Sequence, residues 1–394
     1  MELASYEHEP ATMGLHTLAD YERRAREIIS DSAWVYYDYG RERRWCLEDS
    51  VKAFSRYRIR SQVLQDVSKR SLATTVLGQP LKYPICIAPT ALHTFAHRGA
   101  EKETIKGAEA AETLMVMSAS SSFPMEDVAA AAPNSHRWMQ IYPYVDQELT
   151  LSFIRRSESL GFKALVVTVD SPVRGLDSRI SEAFSHPDLV NNPDARMAAL
   201  EVDIPSSREA LERGDHKLYE YVREMLYNPK STWEYIRWIR SKTTLPVVCK
   251  GILTYESAQA AANAGVDGIL VSAHGGRQLD GAPAPIDALA EVVDAVRGSD
   301  VEVYMDGGVR TGTDVFKALG RGARAVFVGR PILWGLACQG AEGVENVLSI
   351  LRSQLSDVLG LSGCTSPNTI PEGTVVHESY YHRQPNRKRD KSKL

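Results

Sequence analysis

The segments Pro246-Val247-Val248-Cys249-Lys250-Gly251 and Gly268-Ile269-Leu270-Val271-Ser272-Ala273-His274-Gly275-Gly276 decide the fold. Each is a short apolar run that ends in polar or glycine-rich chemistry. The runs are apolar on both faces instead of alternating, as strands buried in a parallel sheet should be. The same unit recurs upstream at Ile85 to Ala91, Met115 to Ser121, Arg137 to Tyr142 and Ala164 to Asp170. It recurs downstream at Val301 to Gly308 and Ala325 to Pro331. Helix-like stretches lie between the runs. One spans Ile286 to Arg297 behind Pro285, a residue suited to a first helical turn. The next, Thr313 to Leu319, is expected to stop at a Gly320 C-cap. Eight βα units without a hairpin signal between them predict an α/β fold closed as a (β/α)8 TIM barrel. An open doubly wound sheet is the competing architecture.

Outward from the barrel, about 80–365, the other parts fall into place as one domain. Residues 14–79 read as an N-terminal helical cover, with a helix near Thr17 to Ile29 and the aromatic cluster Trp34-Val35-Tyr36-Tyr37-Asp38-Tyr39-Gly40. Residues 171–245, after the fourth strand, form a long lid-like insertion, polar from Ser185 to Asp203. Two capping boxes in it, Ser206-Ser207-Arg208-Glu209 and Ser231-Thr232-Trp233-Glu234, predict helix starts. Residues 372–394 read as a flexible tail.

Composition narrows the function. A chain of 394 residues, 43% hydrophobic and 24% charged, is ordinary for a globular enzyme. Its net charge of −4 gives no field that would recruit nucleic acid or membrane. Five cysteines, an odd number without metal-ligand spacing, read as thiols kept reduced, and no metal site is expected. No stretch has the length of a membrane span, and the acidic, polar start does not read as a signal peptide. The last residues, Ser392-Lys393-Leu394, match the tripeptide read by the peroxisomal import receptor, so a peroxisomal location is expected.

Reactive side chains gather at the C-terminal strand ends, the rim where barrels do chemistry. Thr90, Ser118, Gln140, Tyr142, Thr168, Asp170, Lys250, His274, Arg277, Asp306 and Arg330 all fall there. His274, with Asp170 available to orient it, reads as a general base, and Arg277 as a carboxylate clamp. Asp306-Gly307-Gly308-Val309-Arg310 and Gly329-Arg330 suit a phosphate site after strands seven and eight. Glycines for tight turns and arginines for solubility are the plainer reading of the same residues. Lys250 between Cys249 and Gly251 suits either a Schiff base or an electron-rich cofactor ring; pattern alone does not choose.

These motifs resemble the FMN-dependent 2-hydroxy acid oxidases, the family of glycolate oxidase, lactate oxidase and the flavin domain of flavocytochrome b2. The matches run from about Tyr21 to Ile370, through Ile87-Ala88-Pro89-Thr90-Ala91, Gln140-Ile141-Tyr142, Thr168-Val169-Asp170, Val248-Cys249-Lys250-Gly251, His274-Gly275-Gly276-Arg277-Gln278-Leu279-Asp280, Asp306-Gly307-Gly308-Val309-Arg310 and Gly329-Arg330-Pro331. The resemblance implies oxidation of a small L-2-hydroxy acid to a 2-oxo acid, with oxygen as acceptor and hydrogen peroxide as product. It implies His274 as the base with Asp170 behind it, Arg277 and Tyr36 on the substrate carboxylate, and Tyr142 on the 2-oxygen. Lys250 would stabilise negative charge on the reduced flavin. Pro89, Thr90, Ala91, Ser118, Gln140, Thr168 and Ser272 would hold the ring, and Asp306 the ribityl chain. Gly307, Gly308, Arg310, Gly329 and Arg330 would take the phosphate end. Relatives of this kind tend to be homotetramers.

Three departures qualify the resemblance. Ala273 stands where the family usually has Asn, and Ser120 where peroxisomal glycolate oxidases carry Trp. Asp177, two residues after Gly175, occupies the place of a second active-site Arg, so Arg174 or Arg179 is the expected substitute. The smaller Ser120 predicts a roomier pocket in which glycolate is not the best substrate. Three other readings compete: a dehydrogenase on the same barrel with a non-oxygen acceptor, a flavin-binding barrel with decayed catalysis, and an aldolase using Lys250.

Overall fold

The computed structural model describes residues 14–173 and 227–382, together with Arg179, Glu182, Ala183, His186, Met197 and Ala198. Eight parallel strands close into a barrel: β1 (Ile85–Ile87), β2 (Leu114–Ser118), β3 (His136–Ile141), β4 (Leu165–Thr168), β5 (Val247–Ile252), β6 (Gly268–Val271), β7 (Glu302–Asp306) and β8 (Val326–Val328). Each pairs with its sequence neighbour, and β8 closes on β1 with Val326 opposite Ile85. The expected barrel is present and the open sheet is not. Several strands are shorter than the apolar runs suggested. Strand β1 ends at Ile87; the Ala88 N–H still donates to the Val328 carbonyl at 3.0 Å before the chain leaves the sheet.

The interior is packed below the rim. Trp138, Tyr304 and Phe327 meet with ring centroids 5.7 to 5.9 Å apart, inside a shell of buried aliphatic residues from the other strands. A hairpin not expected from the sequence, Thr74–Val76 paired with Gln79–Leu81, plugs this end. Val76 and Leu81 join the interior cluster, and Trp138 Nε1 donates to Gln79 Oε1 at 3.3 Å. The hairpin straddles the expected boundary between cover and barrel.

Helices α1 (Leu18–Ile28), α2 (Asp31–Tyr37) and α3 (Trp45–Lys52) form the cover. A full capping box between Thr17 and Asp20 starts α1. Helix α3 lacks a cap of its own: Arg44 at its N-cap has φ +63° and makes no side-chain cap bond. Asp280, far along the chain, supplies one by accepting from the Arg43 and Cys46 N–H groups at 3.0 and 2.8 Å. Gly276 (φ +74°) lets the His274 turn press against α3, since a Cβ there would lie 2.6 Å from Leu47 Cα. The cover and the sixth strand end are thus joined.

Between the strands run α4 (Ala100–Ala110), α5 (Met125–Ala131), α6 (Gln147–Ser159), α7 (Trp233–Arg240), α8 (Tyr255–Asn263), α9 (Pro285–Ala295) and α10 (Gly312–Gly320), and α11 (Arg330–Ser362) follows β8. Pro285 opens α9 as expected. Two local expectations fail. Gly320 is the last residue of α10 and not its cap, which is Arg321 with φ −97°. Glycine is needed there because a Cβ would collide with Val375. Ser231 does not cap α7: its N-cap is Thr232, without a side-chain bond, and Ser231 Oγ donates to the Pro143 carbonyl at 3.4 Å. The box at Ser206 to Glu209 lies outside the described residues. Within the expected flexible tail, Val375–His377 pairs antiparallel with Tyr57–Ile59, so that stretch is part of the folded body. Among the described residues no helix is long and apolar enough to cross a membrane.

Candidate active site

The strand ends converge on one cavity at the C-terminal rim, lined by residues from all eight βα units and the cover. His274 follows β6 in a tight turn with φ +53°, a left-handed conformation that costs energy for a residue with a Cβ and that recurs where function demands it. The turn aims the ring at Asp170 after β4, with His274 Nδ1 2.8 Å from Asp170 Oδ1. Burial opposes ionisation of Asp170, but the charges and hydrogen bonds of His274 and the charge of Lys250 prevail and hold its pKa below the usual value. Asp170 is further steadied by Ser171, whose hydroxyl donates to it at 3.1 Å while accepting from Gln278 Nε2 at 2.7 Å.

Lys250 on β5 is only 4% exposed and sits on the same floor. It donates to Ser272 Oγ at 3.0 Å and pairs with Asp306 Oδ2 at 3.6 Å. Ser272 Oγ also accepts the His274 N–H at 3.0 Å, which couples lysine and histidine through one hydroxyl. Across the barrel, Gln140 Oε1 accepts from Ser118 Oγ and from the Ala119 N–H, both at 3.2 Å. Its Nε2 donates to Thr168 Oγ1 at 3.1 Å. Every amide atom of Gln140 is therefore assigned by its partners. Pro89, Thr90, Ala91 and Ser120 line the wall above β1 and β2.

Arg277 donates through Nη1 to the Tyr36 carbonyl at 2.7 Å and lies over the Tyr36 and Tyr39 rings, 4.8 and 5.3 Å from their centroids. Of the tyrosines in the aromatic cluster, Tyr36 and Tyr37 reach the cavity. The Tyr37 hydroxyl is committed to the Leu92 carbonyl at 2.6 Å. Tyr39 is buried beneath Arg277 and Arg179. Burial, then Tyr227 and Asp170, raises the Tyr142 pKa well above its ordinary value, so its hydroxyl remains a donor. Arg179 departs from expectation. It is exposed, donates to the Gly40 and Glu42 carbonyls at 3.0 and 3.3 Å, and is absent from the cavity lining. Arg174, Gly175 and Asp177 lie outside the described residues.

Beyond β7 and β8 the lining turns to glycine and arginine. Gly307 and Gly308 have φ +93° and +79°, and a Cβ on Gly308 would run into the Ser50 carbonyl of α3. Gly329 opens α11. Arg310 stacks 4.9 Å from the Trp334 ring, and burial lowers its pKa. Arg330 commits Nε to the Tyr37 carbonyl (2.8 Å) and Nη2 to the Tyr39 and Gly275 carbonyls (2.9 and 3.0 Å). It therefore pins the cover to the His274 turn, a role its position gave no hint of. Burial, then Arg277 and Arg310, pulls its pKa down to about 9. Sequence reasoning also missed Met197 and Tyr227, which line the cavity from the insertion; Tyr227 packs 6.1 Å from the Tyr142 ring. Their own neighbours carry no motif that would have marked them.

Fold and rim together define the class of α/β-barrel flavoenzymes. The chain belongs to the FMN-dependent dehydrogenase family, whose model matches residues 25–377. It is 43% identical to 2-hydroxyacid oxidase 1 of Mus musculus over 359 residues, 91% of this chain and 95% of that protein. It is 40% identical to the peroxisomal (S)-2-hydroxyacid oxidase GLO3 of Arabidopsis thaliana over 361 residues, 91% and 96% of the two chains. Among solved structures, a mandelate oxidase variant with (S)-mandelic acid superposes with a TM-score of 0.80 at 33% identity, covering 91% of this chain and 97% of its own.

The residues present fit FMN. Asp306 Oδ1 is buried without a hydrogen-bond partner among the described residues, an acceptor suited to a polyol hydroxyl. The Gly307-Gly308 backbone faces the cavity beside two half-buried guanidinium groups whose lowered pKa values a phosphate dianion would relieve.

Proposed function

We propose that this chain oxidises L-2-hydroxy acids to 2-oxo acids with FMN and hands the electrons to oxygen, producing hydrogen peroxide. The observation that carries the reading is the His274–Asp170 pair opening on the same cavity as Arg277 and Lys250. FMN, when bound, supplies the two-electron acceptor. Arg277, with one nitrogen spent on the Tyr36 carbonyl, keeps N–H groups for the substrate carboxylate. Tyr36 assists there, and Tyr142 donates to the 2-oxygen. His274 Nε2 takes the substrate proton, and ionised Asp170 on Nδ1 stabilises the imidazolium. Lys250 holds positive charge where the cofactor gains negative charge. Asp306 takes the ribityl chain; Gly307, Gly308, Arg310, Gly329 and part of the Arg330 fork take the phosphate end.

The substrate is larger than glycolate. Ser120 leaves the wall low, and Met197 and Tyr227 offer apolar and aromatic contact. Peroxide production in air with a panel from glycolate to aryl and long-chain L-acids tests both points. Larger L-acids should outrun glycolate. Glycolate outperforming all of them refutes the size preference, and no peroxide from any acid refutes the activity. Flavin that bleaches but reoxidises only with a quinone or cytochrome makes the chain a dehydrogenase instead.

Two further parts of the proposal concern the cell. The Ser392-Lys393-Leu394 motif, outside the described residues, and the peroxisomal name of the Arabidopsis relative support delivery by the peroxisomal import receptor. Deleting the tripeptide should leave a fluorescent fusion cytosolic. A homotetramer rests on family resemblance, and light scattering reads it directly.

A further inference from the structure

Behind the cavity wall lies a polar network that the chemistry above does not use. His93 is wholly buried in the turn after β1. Its N–H and that of Ser122 both donate to Glu101 Oε1 at 3.0 Å, which fixes the turn against α4 and the loop after β2. The ring lies between two hydroxyls, with Nε2 2.6 Å from Thr90 Oγ1 and Nδ1 2.8 Å from Thr104 Oγ1. Burial lowers its pKa against the pull of Glu101, so the ring is neutral and carries one N–H and one lone pair.

Counting protons selects the tautomer. Thr104 Oγ1 also lies 3.3 Å from the Ala100 carbonyl, which can only accept. If Thr104 donates there, it accepts from His93 Nδ1–H, and bare Nε2 accepts from the Thr90 hydroxyl. Each of the three protons then has an acceptor inside the protein. In the opposite tautomer a ring N–H can also turn to the Thr90 carbonyl, but the Ala100 carbonyl loses the Thr104 hydroxyl and the Thr90 proton is turned out of the network. Buried donors are seldom left without acceptors, which favours the first arrangement. Thr90 lines the cavity with its methyl turned toward Gly329 after β8.

We propose that His93 is a positioning residue: it draws the Thr90 hydroxyl proton inward, so that Thr90 offers the cavity only lone pairs. The wall at that point accepts a hydrogen bond and cannot give one. It therefore selects an occupant edge that presents an N–H. The identity of that edge as part of the flavin ring rests on the functional reading above; the tautomer does not.

Long-range proton–nitrogen correlation on the purified holoprotein, with the His93 signal assigned by its loss in His93→Gln, reads the tautomer directly. Protonated Nδ1 and bare Nε2 are expected, and a proton on Nε2 overturns the proposal. FMN dissociation constants of a four-variant set give a second, independent readout. Thr90→Val should weaken FMN binding about two- to tenfold, the loss of one ordinary hydrogen bond. His93→Phe should weaken it similarly, and the double variant should be no weaker than Thr90→Val alone. His93→Gln, whose amide can accept from Thr90 and donate to Thr104, should bind within about twofold of wild type. Additive penalties, or a glutamine variant as weak as the phenylalanine one, contradict the positioning role. If wild-type protein binds no FMN, the functional reading fails, and the nitrogen spectrum still decides the role of His93.

Discussion

The two halves of the barrel interior are built by the same strands and behave as different materials. Two residues along a strand return the side chain to the same face, and over that distance the chemistry changes. Trp138 gives way to Gln140, Tyr304 to Asp306, Val248 to Lys250, Leu270 to Ser272 and Val166 to Thr168. The first member of each pair belongs to the packed aromatic and aliphatic plug. The second lines the cavity or, as Ser272, accepts from Lys250 and from the His274 N–H in its network. The plug is rigid because its rings interlock, and the rim inherits that rigidity without sharing its composition. The upper half can therefore carry buried charge in fixed places.

The comparison breaks if substitutions in the two halves act alike. At the rim, His274→Ala should lower kcat about 10³-fold, the scale of a lost general base, while the urea midpoint stays near wild type. In the plug, Trp138→Ala should cost about 3–5 kcal/mol of stability through the cavity left behind, read by urea unfolding, while the folded fraction keeps its kcat. Arg277→Lys should raise KM about 10- to 100-fold with a smaller change in kcat, because a point charge replaces the fork that meets a carboxylate. The smallest effect concerns acid. The folded pKa of Asp170 is lowered, so its ionised form contributes stability present above the unfolded pKa and lost as pH falls through the folded one. The stability gap between wild type and Asp170→Asn should be widest near neutrality and close below about pH 4, where the unfolded carboxyl is protonated. A gap that widens in acid would reverse the sign of that argument.

The barrel and its rim were legible because both signals are local. Strands apolar on two faces announce burial, and a polar residue at each apolar run's end announces a rim. Contacts across long sequence distances were not legible. Gly320 looks like a cap from its neighbours, yet Val375 dictates it. The Tyr57–Ile59 ribbon and its partner Val375–His377 lie at opposite ends of the chain, so neither predicts the other. Asp280 sits in a motif quoted for its histidine and arginine, and its work is to cap α3. Arg174 and Arg179 are candidates only through proximity to a substituted position, and nothing in the sequence says which way the insertion turns. The family motif selects Tyr36 from its aromatic cluster; in the structure the Tyr37 hydroxyl bonds the Leu92 carbonyl and Tyr39 is buried, contacts with residues far along the chain.

Everything functional follows from placing imidazole, guanidinium and ammonium groups around a bound flavin. Anaerobic mixing of the yellow holoprotein with an L-2-hydroxy acid tests that placement most directly. Wild type should lose its visible flavin absorbance within the time of mixing and recover it in air, and His274→Ala should bleach about a thousandfold more slowly. A flavin that stays oxidised with every acid, or one that bleaches equally fast in both proteins, would contradict it.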